Sequence, residues 1–236
     1  MIQAILWDVD GTLLDFKAAE RAALDAAFRA FGLGPCDDAR IARYSLLNDR
    51  WWKALERGEV TKAQLLPGRF KEFFVAEGLP FDGDYDAFND FYQIHLGDTV
   101  VFRDNAFSLI SDLAGQVRQY AVTNGTVTAQ RRKLKNSGLD QLLDGVFISE
   151  EVGAEKPSPA YFDKVLAALP PFDKDEILIV GDSLTSDMTG GCQAGLRCCW
   201  YDPAWKEIPA HLDIEFHIRD LNGVREILRK ENEAET

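Results

Sequence analysis

Ile2-Gln3-Ala4-Ile5-Leu6-Trp7-Asp8-Val9-Asp10-Gly11-Thr12 is an apolar run that ends in two aspartates and a glycine. Its apolar half has the composition of a strand buried on both faces, the kind found inside parallel sheets covered by helices. Gly11 supplies backbone freedom where such a strand turns into a loop. A period of two sets Asp8 and Asp10 on one side, aimed outward together, and turns Trp7 and Val9 into the core. Two readings of the aspartates stand at this point: solvated carboxylates at a strand end, or a pair of functional acids. The rest of the chain decides between them.

Downstream, residues 16–31 read as an amphipathic helix whose apolar surface comes from Ala19, Ala23, Ala26, Ala27, Phe28 and Phe31. Helical patterns continue at 38–57, 61–77 and 84–97, broken by Gly58, Gly78-Leu79-Pro80 and Gly83, and nothing from 16 to 99 resembles a buried strand. From residue 105 the pattern alternates. Helices at 105–113, 126–137, 159–169, 184–194 and 221–229 are interleaved with strands at 117–123, 146–149, 176–180, 197–201 and 215–218, and residues 231–236 read as a frayed acidic end. The predicted fold is α/β: a Rossmann-like, mostly parallel sheet covered on both faces, with an inserted α-helical cap. Residues 1–15 and 100–236 are expected to form the core domain and residues 16–99 the cap.

In such a sheet, ligands collect outside the carboxyl ends of strands, where the strand order switches. Polar clusters fall at that end of four strands: Asp8 and Asp10, then Thr123-Asn124-Gly125, then Lys156-Pro157, then Gly181-Asp182-Ser183. One cluster would be an ordinary strand-ending turn. Four make a site.

These residue types suit phosphoryl chemistry. Asp8 can attack a phosphoryl group held in line with one of its oxygens, which divides hydrolysis into formation and breakdown of an aspartyl-phosphate. Asp8, Asp182 and the backbone carbonyl of Asp10 offer hard oxygen ligands for Mg2+, whose charge makes attack on an anion feasible. Asp10 is then free to protonate the departing alcohol and later to deprotonate the attacking water. The Thr123 hydroxyl and the backbone N–H groups of Asn124 and Gly125 can bind phosphoryl oxygens, and Lys156 adds a cation in a loop restrained by Pro157. Asp187, five residues after Asp182, is read as orienting Lys156 or a metal-bound water.

Composition narrows the partners. A net charge of -13, from 39 acidic and 26 basic residues, argues against a nucleic-acid strand and leaves nucleotides open. No run approaches the length of a membrane span, and the first 16 residues carry three aspartates in place of a basic, apolar leader, so a cytoplasmic setting is expected. Cys36, Cys192, Cys198 and Cys199 lack metal-ligand spacing and read as structural thiols.

Together, Asp8-Val9-Asp10-Gly11-Thr12, Thr123, Lys156 and Gly181-Asp182-Ser183-Leu184-Thr185-Ser186-Asp187 resemble the signatures of the haloacid dehalogenase-like hydrolase superfamily, in order and over nearly the whole chain. The resemblance implies a mobile flap around residues 13–15 and a helical cap inserted after it. True dehalogenases lack the second aspartate of the first motif, so Asp10 favours phosphoryl transfer. The opening through Phe16, the Asn48-Asp49-Arg50-Trp51-Trp52 segment and Val122-Thr123-Asn124-Gly125 are similar to pyrimidine 5'-nucleotidases acting on nucleoside monophosphates, including noncanonical ones. Phosphatases for phosphoglycolate and sugar phosphates share the core motifs and are the alternative. A phosphomutase would need an acid-base group in the cap, and none stands out. A noncatalytic metabolite-binding protein would have no use for the complete set of acids.

The leaving group falls to the cap. At most one of Trp51 and Trp52 is expected to face the substrate, because neighbouring helical residues point in different directions. Phe70, Phe73, Phe74, Phe88, Phe91 and Tyr92 could line an apolar pocket but read better as cap core, Arg69 offers a polar contact to the substrate but reads better as a solvated surface residue, and His95 reads as a packed or solvent-facing histidine with no part in catalysis.

Overall fold

The computed structural model describes residues 1–234. The opening run forms β1 (Ala4–Trp7), buried at every position. Its uniform apolarity has a simple cause: each face meets a different core. Ile5 and Trp7 pack with Leu109, Ile110, Val224 and Ile227, whereas Ala4 and Leu6 pack with Tyr161, Phe162 and Val165 on the other side.

Four helices follow without a strand among them: α1 (Phe16–Ala30), α2 (Asp38–Glu56), α3 (Lys62–Ala76) and α4 (Tyr85–Asp98). Each begins on a side chain suited to the task, with Asp15, Asp37, Thr61 and Asp84 accepting a backbone N–H of the first turn. The block has its own aromatic core around Phe28, Tyr44, Phe70, Phe73, Phe74, Phe88 and Tyr92. Ala129 is the one residue from outside α1–α4 within that buried cluster.

The alternating half comprises α5 (Ala106–Leu113), β2 (Arg118–Thr123), α6 (Val127–Ser137), β3 (Gly145–Ile148), the short α7 (Ser149–Val152), α8 (Pro159–Ala168), β4 (Ile177–Gly181), α9 (Thr189–Ala194), β5 (Arg197–Tyr201), β6 (Phe216–Ile218) and α10 (Gly223–Ala234). All six strands run parallel in the order β3-β2-β1-β4-β5-β6. This is the doubly wound, Rossmann-like α/β arrangement, with its switch point at β1.

Two local expectations change. β1 stops at Trp7, and the chain turns at Val9, so Asp8 and Asp10 are not alternate residues of one strand. At the other end α10 runs through Ala234 instead of fraying from Glu231, because Glu231 takes two hydrogen bonds from Arg197 on β5. Residues 235 and 236, also expected to fray, lie outside the described residues.

The chain enters and leaves the helical block at neighbouring points. Asp15 N–H donates to Val101 O at 2.7 Å and Arg103 N–H donates to Leu13 O at 2.9 Å, with Leu14 bridging to Phe102 between them. Leu13 and Leu14, in the segment expected to form a flap, are buried in the core beside β1.

Candidate active site

β2, β1 and β4 lie side by side, and the loops after them open on a cavity of about 370 Å³. That is the size range of small-molecule sites. Asp8, Asp10, Asn124, Gly125, Lys156, Asp182 and Asp187 border it from the sheet side, and Phe16, Trp52, Arg69 and Gln93 from the helical block.

At its base Lys156 is almost fully buried and uses its three ammonium hydrogens on Asp8 Oδ1 (2.8 Å), Asp187 Oδ1 (2.6 Å) and the Val122 carbonyl (2.8 Å). Burial alone works against that charge, but Asp187 and Asp8 more than offset it, and the Lys156 pKa lies above the ordinary lysine value. The other oxygen of Asp8, Oδ2, accepts the Thr12 hydroxyl at 2.9 Å. Burial first, and then the Asp187 charge, push the Asp8 pKa well above the usual carboxylate value in spite of Lys156.

Asp182 shares the Thr12 hydroxyl at 3.4 Å. Its side chain is exposed and lines the cavity. The surrounding protein, followed by Asp187, raises its pKa to about 7. Glycine is required on either side of this cluster. A Cβ on Gly11, at φ 99°, would fall 2.6 Å from Asp182 Oδ2, and one on Gly181 would fall 2.3 Å from Asp187 Oδ2.

Carboxylate oxygens of Asp8, Asp182 and Asp187 lie within 4.8 Å of one another. Asp187 is committed to Lys156 and to the Ser183 N–H (3.1 Å) and Asp8 to Lys156 and Thr12, which leaves Asp182, with its single long contact from Thr12, as the freest donor of the three. Three carboxylates face one ammonium, and two of them, Asp8 and Asp182, have pKa values raised first by burial and then by the Asp187 charge. A hard divalent cation fits that donor set and would restore the balance.

The Asp10 carboxylate points elsewhere. Its Oδ1 accepts from Lys133 Nζ (2.5 Å) and its Oδ2 from Gln130 Nε2 (2.7 Å), both on α6. The two aspartates therefore border one cavity but answer to different partners. The sequence reading missed Lys133 and Gln130; the available signal was a lysine on the stripe Ala129, Lys133, Leu134, Ser137 that α6 turns inward.

The loop after β2 is also divided in its duties. The Asn124 side chain clamps the Lys156 backbone with two hydrogen bonds of 2.9 Å, and Gly125 N–H, expected to face a phosphate, donates to Ser149 Oγ at 3.2 Å. Thr123 Oγ1 is buried without a hydrogen-bond partner among the described residues, and Thr123 itself lies behind the cavity wall that Asn124 and Gly125 form.

On the helical side, Trp52 borders the cavity, while Trp51 packs over Gly68 and donates to Glu72. The six aromatic residues Phe70 to Tyr92 pack within the block and do not line the cavity, and His95 stacks on Phe91 at 4.0 Å. Arg69 is a correction. It is 1% exposed, donates to Asn48 and Asn89 and lies against the rings of Phe70 and Tyr92, so its charge is buried inside the block and borders the cavity. Polar contacts join the two halves at several points: Thr185 donates to Glu56 at 2.8 Å, Lys62 donates to Gly125 O (2.8 Å) and Ser149 Oγ (2.9 Å) beside Glu155, Thr126 donates to Gln93 at 2.9 Å, and Arg132 donates to both oxygens of Asp98 (2.8 and 2.9 Å).

A sequence profile of haloacid dehalogenase-like hydrolases matches residues 2–195. The chain belongs to that family. Among curated relatives, the HAD-hydrolase YfnB of Bacillus subtilis is 36% identical over 98% of this chain and 97% of its own. Pyrimidine 5'-nucleotidase PynA of Streptococcus pneumoniae is 35% identical over 84% of this chain and 83% of its own, and pyrimidine 5'-nucleotidase YjjG of Escherichia coli is 29% identical over 96% and 97%. The crystal structure of YfnB bound to magnesium, 35% identical in sequence, superposes with a TM-score of 0.88 over 96% of this chain and 98% of that one, and reveals interdomain movement in that protein. Among the described residues of this haloacid dehalogenase-like hydrolase, no helix is long and apolar enough to cross a membrane.

Proposed function

We propose that the chain is a Mg2+-dependent phosphomonoester hydrolase, a pyrimidine 5'-nucleotidase that releases phosphate from nucleoside monophosphates through an aspartyl-phosphate. The observation that carries this reading is the Asp8 carboxylate at the cavity floor, fixed by Lys156 and Thr12 beside Asp182. Two relatives named as pyrimidine 5'-nucleotidases support the choice of leaving group. Residues 1–15 and 100–236 act as the catalytic core, and residues 16–99 as the cap.

In this mechanism Asp8, Asp182 and the backbone carbonyl of Asp10 hold Mg2+, which supplies positive charge to a dianionic ester when bound. Lys156, exchanging its contact with Asp8 for a phosphoryl oxygen, binds the phosphoryl group together with the Thr123 hydroxyl and the Asn124 N–H, and Asp187 keeps Lys156 in place. Asp8 attacks phosphorus, the ester bond to the nucleoside oxygen breaks, and Asp10 gives that oxygen its proton. Asp10 then takes a proton from water as the water attacks phosphorus and frees Asp8. General acid-base exchange of this kind contributes roughly 10²–10⁴-fold in rate. The cap excludes bulk water and presents Trp52, Arg69 and Gln93 to the nucleoside. The four free thiols fit a reducing, cytoplasmic setting.

Initial rates of phosphate release with Mg2+ across UMP, dUMP, dTMP, CMP, AMP, phosphoglycolate and hexose phosphates test the assignment. A preference for pyrimidine monophosphates is expected. Equal or better turnover of phosphoglycolate or a sugar phosphate would reassign the leaving group and leave phosphomonoester hydrolysis standing.

A further inference from the structure

Lys133 and Gln130 lie outside the four strand-end motifs, yet both close on one carboxylate. They sit three residues apart on α6, are buried (1% and 2% exposed), and between them occupy both oxygens of Asp10. A buried lysine without a carboxylate partner is costly, so Lys133 and Asp10 fix each other's position. Gln130 adds a direction that the ion pair alone would not, because a neutral amide hydrogen bond holds the second oxygen and prevents rotation of the carboxylate plane.

α6 links three parts of the site. Its N-cap Thr126 directly follows the Thr123-Asn124-Gly125 loop, its middle holds Asp10, and its outer face packs on α4, where Ala129 and Arg132 approach Gly97. The Phe16 ring, at the first position of α1, lies over Lys133 Nζ at 5.3 Å. The ammonium is thus covered by the cap element nearest the cavity.

We infer that Lys133 and Gln130 are positioning residues for Asp10 that serve the proton-transfer steps. The inference rests on the phosphatase reading above. When Asp10 gives its proton to the departing oxygen, the electron pair of its O–H bond stays on the carboxylate, and Lys133 faces the charge that appears. In the second half the carboxylate must accept a proton from water while Asp8 carries phosphate. The hydrogen bonds from Lys133 and Gln130 fix the direction of the carboxylate that receives this proton.

The test separates the two halves by leaving group. On UMP with Mg2+, Lys133→Met lowers kcat by roughly 10–100-fold with little change in KM, and Lys133→Arg recovers most of the loss. On p-nitrophenyl phosphate, whose leaving group departs without a proton, rapid-mix kinetics of Lys133→Met keep the rate of the first turnover but slow the steady state, and phosphoenzyme accumulates. Gln130→Leu shows the same pattern more weakly and serves if Lys133→Met does not fold, with melting curves confirming the fold of each variant. Equal losses in first turnover and steady state, or an unchanged kcat on UMP in a folded Lys133→Met variant, would overturn the assignment. Absence of phosphate release from any ester by the wild-type chain would overturn the underlying reading and this inference with it.

Discussion

Trp200 donates its indole N–H to the backbone carbonyl of Asp182 at 3.0 Å, so a buried indole touches the residue on which the carboxylate cluster opens. His217 stacks on that indole at 4.5 Å and on Trp205 at 4.0 Å, which holds the ring plane steady. Intrinsic fluorescence should therefore report cation binding. Titration with Mg2+ is expected to change the emission in the wild type, and Trp200→Phe should remove most of that change. A full response in Trp200→Phe would locate the reporter elsewhere, with Trp52 as the next candidate at the cavity wall.

Lys156 balances Asp8 and Asp187 at once, so its loss leaves two buried carboxylates without their cation. Lys156→Met is expected to abolish turnover and to lower stability by about 3–5 kcal/mol in urea unfolding without Mg2+. Addition of Mg2+ should recover part of the stability and none of the turnover. A loss below about 1 kcal/mol would mean that water, and not Lys156, compensates the carboxylates.

The raised carboxyl pKa values set the direction of the pH response. For Asp182 the folded chain binds a proton that the unfolded chain has released, between its ordinary value of 3.8 and about 7. Without Mg2+, its contribution to stability is therefore present at acid pH and is lost as pH rises through that window. A cation binds the ionised form, so the gain in Tm on adding Mg2+ should be larger at pH 8 than at pH 5, by several degrees. EDTA should reverse it, and Asp182→Asn should flatten both curves. Equal gains at the two pH values would contradict the link.

Trp52 offers the cavity an aromatic face beside the buried Arg69 and Gln93. If a base stacks there, Trp52→Ala should lower kcat/KM for UMP by about 1–3 kcal/mol in transition-state terms, roughly five- to 150-fold. Turnover of p-nitrophenyl phosphate should fall much less. A parallel loss on both substrates would assign Trp52 to cap packing.

The sheet was legible because its signal is local and repeated: apolar runs such as 176–180 separated by helical periods, each ending in polar residues. The chemical types at those ends told Asp8, Lys156 and Asp182 apart from ordinary loop residues, and the structure brings them together around one cavity. What escaped depends on partners distant in sequence. Asp10 and Lys133 are 123 residues apart, and only the packing of α6 against the loop after β1 determines that they meet. Arg69 read as surface because an arginine on one helix has no visible reason to be buried. Its acceptors Asn48 and Asn89 come from two other helices. Glu231 gave the same difficulty, since its partner Arg197 lies 34 residues away on a strand.

The paired segments at the root of the helical block, where Asp15 meets Val101 and Leu13 meets Arg103, make that block a closed loop in the thermodynamic sense. Its two ends are already one strand spacing apart in the core, so the entropy of joining them depends only logarithmically on what lies between. Each doubling of the inserted length adds only about 0.6 kcal/mol to that cost. The pairing of the two ends is therefore nearly indifferent to the length of chain between them. What ties the block to the rest of the chain is its packing and not its root: α4 meets α6 where Ala129 and Arg132 approach Gly97, so additions far from that seam are the ones the core would not feel.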